Sequence, residues 1–131
     1  MAGILLVANH PLASAMTQAC TSILGKTPAH FAHIDVAENA DPDELTMAVA
    51  KRLRQLESPG GVVVLTDLYG STPDNIARSF ASRGNVSVIS GVNLPMLLRA
   101  CTSEHTDLGS LTKDLAKAVE KYVVVHLEGQ S

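Results

Sequence analysis

The sequence predicts an α/β domain built on a mainly parallel sheet, and three observations carry that expectation. Short apolar runs alternate along the chain with segments of helical period. Glycine, proline and capping residues punctuate the boundaries. The apolar content is aliphatic rather than aromatic: hydrophobic residues make up 46% of the chain and aromatic residues 3%, with no Trp. Small aliphatic cores suit helices packed on both faces of a parallel sheet. Strands alternating with helices call for parallel pairing through right-handed crossovers.

The elements follow in order. Gly3 to Ala8 is an apolar run and reads as the first strand. Leu12 to Leu24 is the first helix, with Leu12, Met16, Ala19, Cys20, Ile23 and Leu24 at helical spacing and Gly25 as a left-handed stop. Phe31 to Val36 is the second strand, with Ala32, Ile34 and Val36 on one face. Asp41-Pro42-Asp43-Glu44 starts the second helix: Asp41 caps, Pro42 suits the first turn, and Glu44 reaches back to complete a capping box. That helix runs to about Leu56, and Ser58-Pro59-Gly60-Gly61 breaks the chain.

The third strand is Val62 to Thr66. Thr72 and Pro73 open a third helix, with Thr72 as the N-cap, running to about Ser82. Val86 to Ser90 is the fourth strand, and a short helix covers Met96 to Cys101 after Pro95. Leu108 to Tyr122 is the last helix. Val123 to Leu127 reads as a closing apolar strand on an edge that belongs to another subunit, since so apolar an edge is not left open.

The chain has 131 residues, which makes one domain over 1–131. The formal net charge is -3 with both signs interspersed, so no basic cluster supports phosphate-driven nucleic-acid binding. The longest apolar run is far short of a bilayer span. The amino terminus lacks a basic signal-peptide region, so the expected compartment is the cytoplasm. Cys20 and Cys101 share no close motif and read as reduced core residues.

His10 stands just past the first strand and Asp67 just past the third. Ligands of open α/β sheets bind at that carboxyl edge. If the two strands are neighbours, a carboxylate meets an imidazole there. Such a carboxylate fixes the tautomer, and the other ring nitrogen is left to attack. Next to Asp67, Leu68-Tyr69-Gly70-Ser71-Thr72-Pro73 leads into the third helix. Gly70 lets a ligand approach the backbone, and the helix N-terminus with the Ser71 and Thr72 hydroxyls is a ready phosphate site. His30 and His33, three apart on the second strand, face opposite ways, and His105 and His126 have no ligand-spaced partners, so no metal set competes for His10. No Walker or kinase glycine loop is present, which favours another phosphoprotein over ATP as donor. These residues point to a phosphohistidine carrier that needs no cofactor.

The runs Gly3 to His10, Leu65 to Asn75 and Gly91-Val92-Asn93-Leu94-Pro95-Met96-Leu97 together resemble the IIA component of the mannose family of the bacterial phosphoenolpyruvate-dependent sugar phosphotransferase system. The resemblance implies a four-stranded sheet of order 2-1-3-4, with a C-terminal strand exchanged across a homodimer. It implies that His10 carries the phosphoryl group on Nε2 while Nδ1 faces Asp67, and that Thr72 matches a phosphate-contacting serine. The implied donor is HPr, charged by enzyme I, and the implied acceptor is a IIB component, without direct membrane insertion. Two positions depart from the common pattern: Pro11 stands where glycine is usual, and Asn9 where serine is usual. Transporter versions often continue into a IIB domain, whereas this chain ends at Ser131. A stand-alone regulatory phosphoprotein acting on a target protein, and the phosphotransfer subunit of dihydroxyacetone kinase, are the alternatives. Gly91 to Pro95 reads as a tight strand-to-helix turn.

Overall fold

Side chains that alternate across the central strands need a helical layer on each face, and the chain supplies both. The structure is a computed structural model and describes residues 2–129. Strands β1 (Gly3–Asn9), β2 (Phe31–Val36), β3 (Val62–Thr66) and β4 (Val86–Ser90) form one parallel sheet in the order β2-β1-β3-β4. The helices are α1 (Leu12–Leu24), α2 (Pro42–Gln55), α3 (Thr72–Ser79), α4 (Leu94–Thr102) and α5 (Leu108–Tyr122).

On one face, Ile4, Leu6 and Ala8 of β1 and Val63 and Leu65 of β3 pack with α1, α4 and α5 through Met16, Leu97, Leu111 and Leu115. On the other, Leu5, Val7, Val62 and Val64 pack with α2 and α3 through Leu45, Val49, Leu53 and Ala77. Burying each side chain of this size contributes about 1.5–3 kcal/mol. The chain winds outward from β1 to β2 and then back to β3 and β4. Right-handed crossovers therefore place α1 and α2 on opposite faces. The reversal leaves a crevice at the carboxyl ends of β1 and β3. Cys20 of α1 and Cys101 of α4 are free thiols, Sγ to Sγ 3.9 Å apart, and burial pushes the Cys101 thiol up to about 12.

Several boundaries differ from expectation. Ser71, not Thr72, is the cap residue of α3, because its carbonyl accepts from the Asn75 N–H at 2.8 Å. That helix stops at Ser79, and a separate 3-10 turn, Ala81–Arg83, follows. α4 starts at Leu94, two residues early, because the Asn93 side chain accepts from the Met96 N–H at 2.9 Å. Asp41 caps α2 through the Asp43 N–H at 3.2 Å, and among the described residues Glu44 closes no box. His30 precedes β2, in a turn with φ 49°, so it is not on the strand with His33.

The C-terminal run 123–127 is not a strand within the single chain. Val123, Val124, Val125 and Leu127 are exposed, and the sheet has four strands among the described residues. An extended segment becomes a strand only when another strand's N–H and C=O groups pair with it. No helix among the described residues is long and apolar enough to cross a membrane.

Candidate active site

The rim at the crevice is built by four strand ends. β1 ends at Asn9 and turns through His10 and Pro11 into α1; the His10–Pro11 peptide bond is cis. The His10 N–H still donates to the Val36 carbonyl at 3.0 Å, which ties the imidazole-bearing residue to the end of β2. The His10 side chain is 67% exposed.

β1 and β3 are neighbours, so His10 and Asp67 do reach the same rim. Their expected contact, however, is replaced by two others. Oδ2 of Asp67 accepts from the Asn9 N–H at 3.1 Å and from Asn9 Nδ2 at 2.9 Å, while Oδ1 accepts from the Leu68 N–H at 3.1 Å. The carboxylate nearest the imidazole is Asp35 at the end of β2, with Oδ2 3.9 Å from Nδ1 of His10. β1 ends at Asn9, and His10 lies in the turn that follows it. Both oxygens of Asp67 are taken by donors of Asn9 and Leu68.

Asp35 is held at the start of α1. Its Oδ1 accepts from the Ser14 N–H at 3.1 Å, and its Oδ2 accepts from the Ser14 hydroxyl. Burial pushes the Asp35 carboxyl up. The Ser14 hydrogen bonds and the attraction of His10 and His33 outweigh it, and the net shift is downward. The residue was missed in the sequence reading. Its signal was available: it lies opposite the face of Ala32, Ile34 and Val36 at the end of a strand adjacent to β1.

The segment expected to bind phosphate divides in two. The Gly70 N–H, at φ 87°, donates to Asp74 at 3.0 Å, and the Ser71 hydroxyl donates to the Leu68 carbonyl at 2.7 Å. Both donors are therefore spent on shaping the loop. Thr72 is the first residue of α3, exposed, and its hydroxyl is unpaired among the described residues.

Beneath this loop lies a residue the sequence did not single out. Asp74 is fully buried, yet four groups donate to it: the Thr66 hydroxyl at 2.6 Å, the Ser90 hydroxyl, the Gly70 N–H, and Arg78 Nε at 2.8 Å. Burial alone would raise its carboxyl, but hydrogen bonds from Ser90, Thr66, Gly70 and Arg78 hold it well below the usual carboxylate range. Arg78 also bonds Asn75 and lies over the Tyr69 ring at 4.7 Å, so one cation braces the loop from below and from outside. The Thr66 carbonyl accepts from the Gly91 and Val92 N–H groups, each at 2.9 Å, which fastens the Gly91–Pro95 turn to the same strand end.

A four-stranded parallel sheet with an exposed histidine at its switch point, two carboxylates and an open helix start marks a doubly wound α/β protein that works at its carboxyl edge. Residues 3–119 match the family model described as PTS system fructose IIA component, and the chain belongs to that family. It is a mannose-family IIA domain of the phosphotransferase system. It is 32% identical over 88 residues to the PTS system mannose-specific EIIAB component of Escherichia coli K12, a match covering 66% of this chain and 27% of that protein. It is 29% identical over 128 residues to the transcriptional regulatory protein LevR of Bacillus subtilis, covering 91% of this chain and 13% of that one. The chain thus spans a small part of both relatives.

Among solved structures, the mannose/sorbose-specific IIA subunit from Enterococcus faecalis superposes with a TM-score of 0.86 at 20% identity, covering 99% of this chain and 98% of that chain. Component EIIA from Streptococcus agalactiae gives 0.85 at 22% identity, covering 95% and 97%. Both likenesses show the fold.

Proposed function

We propose that the chain is a phosphocarrier that accepts a phosphoryl group from phospho-HPr on His10 and passes it to a IIB component for sugar uptake. The observation that carries this reading is the exposed imidazole at the switch point of a IIA-family sheet, beside the start of α3. An imidazole this open suits a donor that is itself a protein surface. Small-molecule sites bury most of their ligand in a cleft.

In this reading Nε2 of His10 attacks the phosphorus as the bond to the donor's nitrogen breaks, and the donor leaves with the electron pair. Such transfers need mainly positioning and charge stabilisation. Asp67 supports the site by clamping Asn9, the residue before the nucleophile. The Thr72 hydroxyl and the start of α3 receive the phosphoryl oxygens, while Gly70 and Ser71 keep the loop in shape. The protein works in the cytoplasm as a homodimer over residues 1–131, with the tail 123–127 covered by the second copy.

The test is incubation with phosphoenolpyruvate, enzyme I and HPr. The expected result is one acid-labile, base-stable phosphoryl group per chain. No uptake from phospho-HPr refutes the reading. The likeness to a transcriptional regulatory protein over 91% of the chain supports a second reading, in which the state of His10 regulates a target protein. Discharge of the phosphorylated chain by a IIB protein favours the carrier. Charging without discharge, together with state-dependent capture of a target, favours the regulator.

A further inference from the structure

We propose that Cys20 and Cys101 form a reversible disulfide that staples α1 to α4, and that a small disulfide of the glutathione class, entering a cavity at Cys101, oxidises them. The pair lies toward the C-terminal ends of the two helices, away from His10. The proposal goes beyond the reading above and does not rest on it.

The sulfurs are already neighbours. Sγ of Cys20 and Sγ of Cys101 stand 3.9 Å apart, and both are free thiols. A disulfide places its sulfurs about 2 Å apart. Side-chain rotation and a small approach of two packed helices close that gap.

The link would join two halves of one helical layer. α1 packs on β1 and β2, α5 packs on β3 and β4, and α4 lies between α1 and α5. Around the two cysteines, Met16, Leu97 and Ala100 belong to the same core. The cross-linked residues are 81 positions apart in the chain. Tying so distant a pair removes much of the freedom of the unfolded chain, so one bond stabilises the fold strongly.

The two thiols differ in access. Cys20 is fully buried, whereas Cys101 is half-buried. Cys101 lines a cavity of about 640 Å³ with Leu24, Lys26, Pro28, Ala29 and Glu104. That volume falls within the range of small-molecule sites, about 300–1,000 Å³. Lys26 and Glu104 set one charge of each sign beside apolar residues, which suits a peptide disulfide that carries both charges.

Cys101 therefore reacts first, and Cys20 resolves the adduct. The Cys101 thiolate attacks one sulfur of the small disulfide, that S–S bond breaks, and a small thiolate leaves with the electron pair. The Cys20 thiolate then attacks Sγ of Cys101, and the second small thiolate leaves. The protons given up by the two cysteines end on the two small thiols, so the protein is oxidised by two electrons and the small disulfide is reduced. Burial and the neighbouring sulfur push the Cys101 thiol up, so the first step is slow at neutral pH and the pair answers sustained rather than brief oxidation.

The test incubates the reduced protein with excess oxidised glutathione in mildly alkaline buffer and reads intact mass, peptide maps and the thermal midpoint. Wild type should become lighter by two hydrogens, with Cys20 joined to Cys101 within one chain. Its midpoint should rise by at least about 5 °C, and dithiothreitol should reverse the rise. Cys20→Ala should stop at a glutathione adduct on Cys101 with no rise, and Cys101→Ala should form no adduct. Wild type with both thiols still free, a disulfide between chains instead, or an oxidised chain with an unraised midpoint overturns the proposal. So does an unmodified Cys20→Ala or an adduct on Cys20 in Cys101→Ala. If either variant does not fold, the wild-type map and midpoint decide alone. No outcome depends on phosphoryl uptake.

Discussion

Asp74 carries more of the rim than its place in the sequence suggests. A buried carboxylate is stable only when its charge and lone pairs are met, and here two strand ends, a loop amide and a guanidinium meet them. Asp74→Ala removes the common acceptor of Thr66, Ser90, Gly70 and Arg78. Chemical denaturation near neutral pH should show a loss of about 2–4 kcal/mol. The isosteric Asp74→Asn gives the sign with pH. The native carboxyl sits below its ordinary value of 3.8, so the unfolded chain binds the proton first on acidification. The stabilisation is complete above that value and fades as pH falls below it. The gap between wild type and Asp74→Asn should therefore narrow in strong acid. A gap that widens there contradicts the account. Local reading could not find this residue, because Asp74 looks like an ordinary acid in the first turn of a helix. Its burial depends on Thr66 and Ser90 arriving from two different strands. His10 and Asp67 were legible because each directly follows an apolar strand. Which acid stands nearest the imidazole was not, because Asp35 reaches the rim from the end of a third strand.

At the scale of elements, the four sheet strands were written plainly in apolar runs, whereas a helix start shifts when a side chain ahead of the expected start takes an N–H of the first turn. Asn93 moved α4 in this way. The end of β1 offers a graded test. Asn9→Ala removes the Nδ2 bond to Asp67 but keeps the backbone one, so it should cost about 1 kcal/mol by urea titration. Gly61→Ala, at the start of β3, should cost more. Its φ is 76°, and a Cβ there would stand 2.6 Å from the Asn85 carbonyl oxygen that accepts from Val62. A left-handed backbone with a side chain costs about 1–2 kcal/mol before that clash is counted. A loss smaller than that of Asn9→Ala would show that the β3–β4 junction yields more easily than the packing implies.

At the scale of the whole molecule, the sheet and both helical layers followed from the alternation of elements, but the tail did not. Val123, Val124, Val125 and Leu127 are apolar enough to read as a strand and lie exposed past α5, with Val124 at 82%. Sequence pattern shows that such a run wants a partner; it does not show which chain supplies one. We expect sedimentation at micromolar concentration to give a dimer, and removal of residues 123–131 to give a monomer with the same helical content. A wild-type monomer contradicts the exchange. The central claim is the identity of the phosphoryl-bearing residue, and one comparison tests it most directly: uptake from phospho-HPr by wild type and by His10→Ala, followed by mapping of the modified residue. The account predicts a phosphoryl group on His10 in wild type and none on the variant. Uptake by His10→Ala at the wild-type rate would contradict it.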